Sequence, residues 1–205
     1  MSQFYSTSSL LPHIPDDQSI PQFIFDTQNR SRPPRPDTVP WLIEDHSGRA
    51  IRRTELLKRT HDLANAMSSR WNIKAKDTVC IFSPNSTDYP VCIWAVHTLG
   101  GIITPANPAY KTDELVHQLR TANAALLVIH PMFLDTAKAA AKEVGLSENR
   151  IVFTESGGSA SYPTLDELVK YGSSVPPTFT ESRFKAGEAR TNIAFLSFSS
   201  GTTGK

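Results

Sequence analysis

From Thr78 onward the chain alternates between two hydrophobic regimes. Short unbroken apolar runs (Val79-Cys80-Ile81-Phe82, Ile102-Ile103, Ala125-Leu126-Leu127-Val128-Ile129 and Ile151-Val152-Phe153) are separated by stretches in which apolar residues return every three or four positions. The runs have strand length and predict strands over 78–82, 102–105, 125–129 and 151–154. The stretches between them predict helices over 88–99, over 113–122 with Thr112 as cap, over 133–144 ending at Gly145, and over 164–171 closing at Gly172. On the first of these, Tyr89, Cys92, Ile93, Val96 and Leu99 share overlapping faces; on the second, Leu115, Val116 and Leu119 line one side. Strands alternating with helices of this length predict an α/β fold, with right-handed crossovers and a mainly parallel sheet flanked by helices.

Upstream the rhythm differs. Seven prolines fall among the first forty residues, so 1–19 reads as a loosely ordered arm and 30–40 as a loop, with a short helix over 21–28 between them. Residues 41–45 and 49–52 read as a hairpin around His46-Ser47-Gly48. Thr54 is a candidate N-cap for a helix over 55–71, where Leu56, Leu57, Leu63, Ala64 and Met67 keep helical spacing. Residues 173–190 are polar and Pro-containing and predict a surface connection; 192–198 then returns to strand character.

That last run empties into Ser199-Ser200-Gly201-Thr202-Thr203-Gly204-Lys205. Small residues let backbone N–H groups converge on an anion, and hydroxyls add donors; bonds to a charged acceptor contribute about 1.5–3 kcal/mol each. The composition suits the phosphates of a nucleoside triphosphate, although seven such residues taken alone also fit an ordinary polar turn. A Walker A loop needs Gly at position 199, where this chain has Ser, and no Gly-x-Gly-x-x-Gly occurs.

With its flanking residue, Phe198-Ser199-Ser200-Gly201-Thr202-Thr203-Gly204 resembles the ATP loop of the adenylate-forming superfamily, in its acyl-CoA ligase and luciferase version. A second segment, Thr98-Leu99-Gly100-Gly101-Ile102-Ile103-Thr104-Pro105-Ala106-Asn107-Pro108-Ala109-Tyr110, is similar to the one that in 4-coumarate–CoA ligases leads into the helix written here Thr112-Asp113-Glu114-Leu115. Pro21-Gln22-Phe23-Ile24-Phe25-Asp26 is a third, weaker match, and the three stand in family order.

The resemblance implies the N-terminal part of the adenylate-forming fold, incomplete, with 1–40 as an arm and short helix and 41–205 as the first α/β portion of the adenylation domain. It implies ATP-dependent activation of a small carboxylic acid to an acyl-adenylate and then, with CoA as co-substrate, to a thioester; Mg2+ shares the phosphate charge. Ser199, Ser200, Gly201, Thr202 and Thr203 would contact the phosphates, and Gly204 would set the turn. The family's loop continues with Pro-Lys-Gly, so Lys205 sits at the variable position before that Pro and does not inherit the family lysine's role. The family's catalytic Lys falls beyond Lys205. A catalytically silent binding partner, and a luciferase-type or peptide-synthetase-type adenylation piece, are the alternative expectations for the chain.

Composition narrows the remaining classes. Lys and Arg number 21 against 20 Asp and Glu, a formal charge of +1, which argues against a nucleic-acid footprint. The most apolar stretch, 91–106, is interrupted by His97, Thr98 and a Gly pair, so no membrane span is expected, and the amino end lacks a basic start and long apolar core. A cytoplasmic location is the expectation, with peroxisomal targeting the alternative for this family. Cys80 and Cys92 lie in apolar runs and read as buried thiols acting as small hydrophobes; no metal site is expected from the histidine spacing. Trp41 and Trp94 read as core residues, and His97 and His117 as helix-face histidines without a neighbouring nucleophile.

Overall fold

The computed structural model describes residues 14–26, 36–155 and 162–199. Helix α1 (Ile20–Phe25) starts at a reciprocal cap: Gln22 N–H donates to Ser19 Oγ at 3.4 Å, and Ser19 N–H donates to Gln22 Oε1 at 3.0 Å. Phe25 is buried between Trp41 and Trp94, at ring-centroid distances of 5.8 and 5.1 Å, so both tryptophans do pack on the core. The expected hairpin forms as two short antiparallel strands, β1 (Leu42–Ile43) and β2 (Ala50–Ile51). The helix after it, α2 (Arg53–Trp71), is not capped by Thr54. Asp37 reaches it from the preceding loop, accepting Thr54 N–H at 3.3 Å and Thr54 Oγ1–H at 2.8 Å.

Next come β3 (Thr78–Phe82), α3 (Asp88–Thr98), β4 (Ile102–Pro105), α4 (Thr112–Thr121), β5 (Ala124–Ile129), α5 (Leu134–Val144), β6 (Ile151–Phe153) and α6 (Leu165–Ser174). The four long strands form one parallel sheet in the order β4-β3-β5-β6. Side chains alternate across it. Val79, Ile81, Leu126, Val128 and Val152 join the core under α2, α3 and α6, whereas Cys80, Phe82, Leu127, Ile129, Ile151 and Phe153 join the core under α4 and α5. Helices on both faces explain why the strands read as continuous apolar runs instead of alternating ones. Cys80 and Cys92 are buried free thiols. Burial pushes the Cys80 thiol up, and burial with the nearby Asp88 charge pushes Cys92 up to about 12.

One sequence expectation gives way here. Helix α6 runs through Gly172 to Ser174 instead of closing at it. Gly172 is needed because α2 passes so close: a Cβ there would stand 1.8 Å from Asp62 O. The polar connection after α6 is also anchored to α2. Asn65 donates through Nδ2 to Gly172 O (2.9 Å) and Val175 O (3.2 Å), and its Oδ1 accepts Thr178 N–H (2.8 Å). Arg59, also on α2, bonds Asp88 of α3 at 2.5 Å and Asp166 of α6 at 2.7 Å, which ties three helices of one layer together.

Candidate phosphate-binding site

The chain returns to the sheet at Phe195, which pairs in parallel with Ile103 on the free side of β4. Ile103 N–H donates to Ala194 O and Leu196 N–H donates to Ile103 O, both at 2.9 Å. The strand expected over 192–198 is therefore reduced to one bridged residue among the described residues. Carried forward two residues, this register sets Ser197 beside Pro105, the last residue of β4, and Phe198 beyond it. Phe198 thus lies past the carboxyl rim of the sheet, the edge at which open α/β sheets bind ligands. Its ring stands edge-on to His117 of α4, at 6.0 Å and 89°. Ser199 follows and is exposed; Ser200, Gly201, Thr202, Thr203 and Gly204 lie outside the described residues.

Three buried polar side chains attach this segment to the sheet. His97, on α3, points Nε2 at Ala194 O (3.0 Å), and its ring stands edge-on to Phe195 at 4.9 Å. Because a carbonyl can only accept, Nε2 carries the proton; Nδ1 is bare, buried and without a partner among the described residues. Burial pulls the His97 pKa below its usual value, and the bond to Ala194 opposes this only in part. Thr104, fully buried in β4, donates its hydroxyl to Leu196 O at 2.8 Å. Gln118, 1 % exposed on α4, donates to Thr104 Oγ1 at 2.7 Å and to Pro105 O at 3.1 Å.

His97 and His117 read from the sequence as helix-face residues, and Thr104 and Gln118 belong to no chemical motif there. A readable signal existed for two of them. Gln118 stands three positions after Leu115 and His97 four after Ile93, so each puts a polar group on an apolar stripe. Further along the rim, His130 follows β5 directly and Glu155 stands two residues after β6; His130 Nε2 and Glu155 Oε1 lie 3.1 Å apart, and His130 Nδ1 accepts Met132 N–H at 3.2 Å.

A cavity of about 140 Å3 opens beside His97, Gly100, Gly101, Phe184, Asn192 and Ile193. Gly100 and Gly101 precede β4, so this cavity lies at the amino edge of the sheet, opposite the end where 198–199 emerges. The described residues gather no group of three or more His, Cys, Asp or Glu side chains that could hold a metal ion. None of their helices is long and apolar enough to cross a membrane.

The arrangement brings the exposed Ser199 out from a segment held by a short ladder and three buried side chains. The chain is 32 % identical over 207 residues to the acyl-CoA ligase AFT1-1 of Alternaria alternata, covering 93 % of this chain and 35 % of that one. It is 25 % identical over 201 residues to 4-coumarate–CoA ligase-like 9 of Arabidopsis thaliana, covering 95 % and 33 %. It therefore spans about a third of the length of these curated relatives. Among solved structures, the anthranilate CoA ligase AuaEII in complex with anthranoyl-AMP superposes with a TM-score of 0.75 at 20 % identity, over 93 % of this chain and 34 % of that one, a likeness of fold. The family model for AMP-binding enzymes matches residues 25–205, and this chain belongs to that family.

Proposed function

We propose that this chain forms the ATP-phosphate-gripping part of a carboxylate-activating ligase. In that reaction a carboxylate oxygen attacks the α-phosphorus of ATP; the bond to the β-phosphate oxygen breaks, giving acyl-adenylate and pyrophosphate. CoA thiol then attacks the acyl carbon, loses its proton and displaces AMP. The finer reading, a 4-coumarate–CoA ligase-like enzyme, is supported by the likeness of the segment from Thr98 to Tyr110.

In this reading Ser199, Ser200, Thr202 and Thr203 offer hydroxyls, Gly201 lets its backbone approach, and Gly204 sets the turn. Together they hold the β- and γ-phosphates so that the leaving pyrophosphate stays aligned and its charge is spread. Magnesium, when bound with ATP, supplies charge neutralisation at the same oxygens. The reading is supported by the parallel register of Phe195 with Ile103, which directs the chain toward the carboxyl rim as far as Phe198 and Ser199.

Titrating 15N-labelled chain with Mg·ATP tests this. The amides of 199–204 are expected to shift together at millimolar nucleotide. Shifts confined to the amino-edge cavity around His97 and Gly100 would defeat the assignment.

A further inference from the structure

We infer that Thr104 and Gln118 are positioning residues that replace a missing rung of the β-ladder and so aim the phosphate loop. The inference rests on the reading of 199–204 as that loop.

The pairing on β4 alternates regularly: Ile103 N–H donates to Ala194 O, and Leu196 N–H donates back to Ile103 O. In a parallel ladder the next donor on β4 would be residue 105, bonding Leu196 O. Residue 105 is proline and has no N–H. Left alone, the ladder would stop one carbonyl early, at the point where the chain turns into the loop.

The Thr104 hydroxyl fills this position, donating to Leu196 O at 2.8 Å. The directions of the surrounding bonds leave it no alternative. Pro105 O can only accept, so the group of Gln118 facing it at 3.1 Å is the amide nitrogen. The same nitrogen stands 2.7 Å from Thr104 Oγ1 and donates there as well. Thr104 Oγ1 thus receives a hydrogen from Gln118 and passes its own to Leu196 O. The amide of a buried helix residue thereby fixes the rotamer of the hydroxyl that holds the last paired residue before the loop.

Beyond Leu196 nothing on β4 continues the ladder, so Ser197 and Phe198 are released at a defined residue and in a defined direction. Helix α4 acts on the exit twice, through Gln118 on Thr104 and through His117 against the Phe198 ring. Proline thus sets where the strand ends, and the hydroxyl–amide relay sets how firmly it is held up to that end.

The test compares wild type with Thr104→Val, which keeps the shape and removes the hydroxyl, Gln118→Met, which keeps the length and removes both donors, and Thr104→Ser, which restores the hydroxyl. Amide exchange is read at Leu196 and at Val79 and Val128 of the central strands, and Mg·ATP titrations follow the loop amides. In Thr104→Val and Gln118→Met, Leu196 exchange is expected to accelerate about tenfold and ATP affinity to fall about tenfold, while Val79 and Val128 stay protected. Thr104→Ser is expected to recover most of both.

Should Thr104→Val fail to fold, Gln118→Met still carries the comparison, because it leaves the threonine in place. A folded variant with wild-type exchange at Leu196 and wild-type ATP affinity overturns the relay. A wild-type chain whose loop amides ignore Mg·ATP raised well above millimolar overturns the phosphate reading instead, so the two failures are distinct.

Discussion

His97 holds Ala194 O through Nε2–H, with Nδ1 left bare. A second proton would go to Nδ1, which is buried and faces no acceptor among the described residues, and burial already draws the pKa down from 6.5. The sign follows from linkage. Below the unfolded value of about 6.5 the unfolded chain takes up a proton that the folded chain resists, so stability falls with decreasing pH until the folded pKa is reached. The slope from this residue is at most about 1.4 kcal/mol per pH unit. His97→Gln can keep a donor for Ala194 O and cannot titrate. Urea unfolding from pH 7.5 to pH 5 should therefore give a shallower loss for the variant than for wild type. Parallel curves would mean that His97 charges freely in the fold. At this scale the sequence was legible where chemistry is local: the thiols of Cys80 and Cys92 read as core from their own neighbours. The partner of His97, by contrast, lies 97 positions away, and no spacing along the chain announces it.

Elements were most readable where burial alone defines them. The runs 78–82 and 102–105 became β3 and β4 with the expected bounds, because a strand covered on both faces leaves an unbroken apolar signature. Ends set by distant groups were misread. Thr54 suggested a cap, yet Asp37 caps α2 from 17 residues earlier. Gly172 suggested a stop, yet glycine also marks close backbone approach, and only the fold shows which applies. The added Cβ of Gly172→Ala would meet Asp62 O at 1.8 Å, Asp62 C at 2.8 Å and Ala66 N at 3.0 Å, all backbone atoms of α2 that no rotamer change can move. The helices would have to separate, which also strains the Asn65 bonds to Gly172 O and Val175 O. Alanine's better helix propensity returns about 1 kcal/mol. The net loss is expected to be about 3 kcal/mol, at the upper end of overpacking costs, read as a lower urea midpoint at unchanged slope. A midpoint equal to wild type would show that α2 and α6 are not locked at this crossing.

For the molecule as a whole, the question is what residues 1–205 can bind when the polypeptide tested ends at Lys205. Ordering the seven residues from Ser199 to Lys205 costs about 1–2 kcal/mol each in backbone entropy, roughly 7–14 kcal/mol together. Four or five bonds to phosphate at about 1.5–3 kcal/mol each return roughly 6–15 kcal/mol, so the two sums nearly cancel. The described structure offsets part of that cost, but only up to Leu196, whose carbonyl Thr104 holds, and Phe198, which leans on His117. Beyond those two contacts no strand among the described residues pairs with the segment leading into the loop. The expected affinity for Mg·ATP is therefore about millimolar or weaker, equivalent to about 4 kcal/mol of binding free energy or less. Isothermal titration calorimetry on this polypeptide decides the matter. A micromolar constant would exceed what these sums allow and would credit the rung that Thr104 and Gln118 supply with the difference.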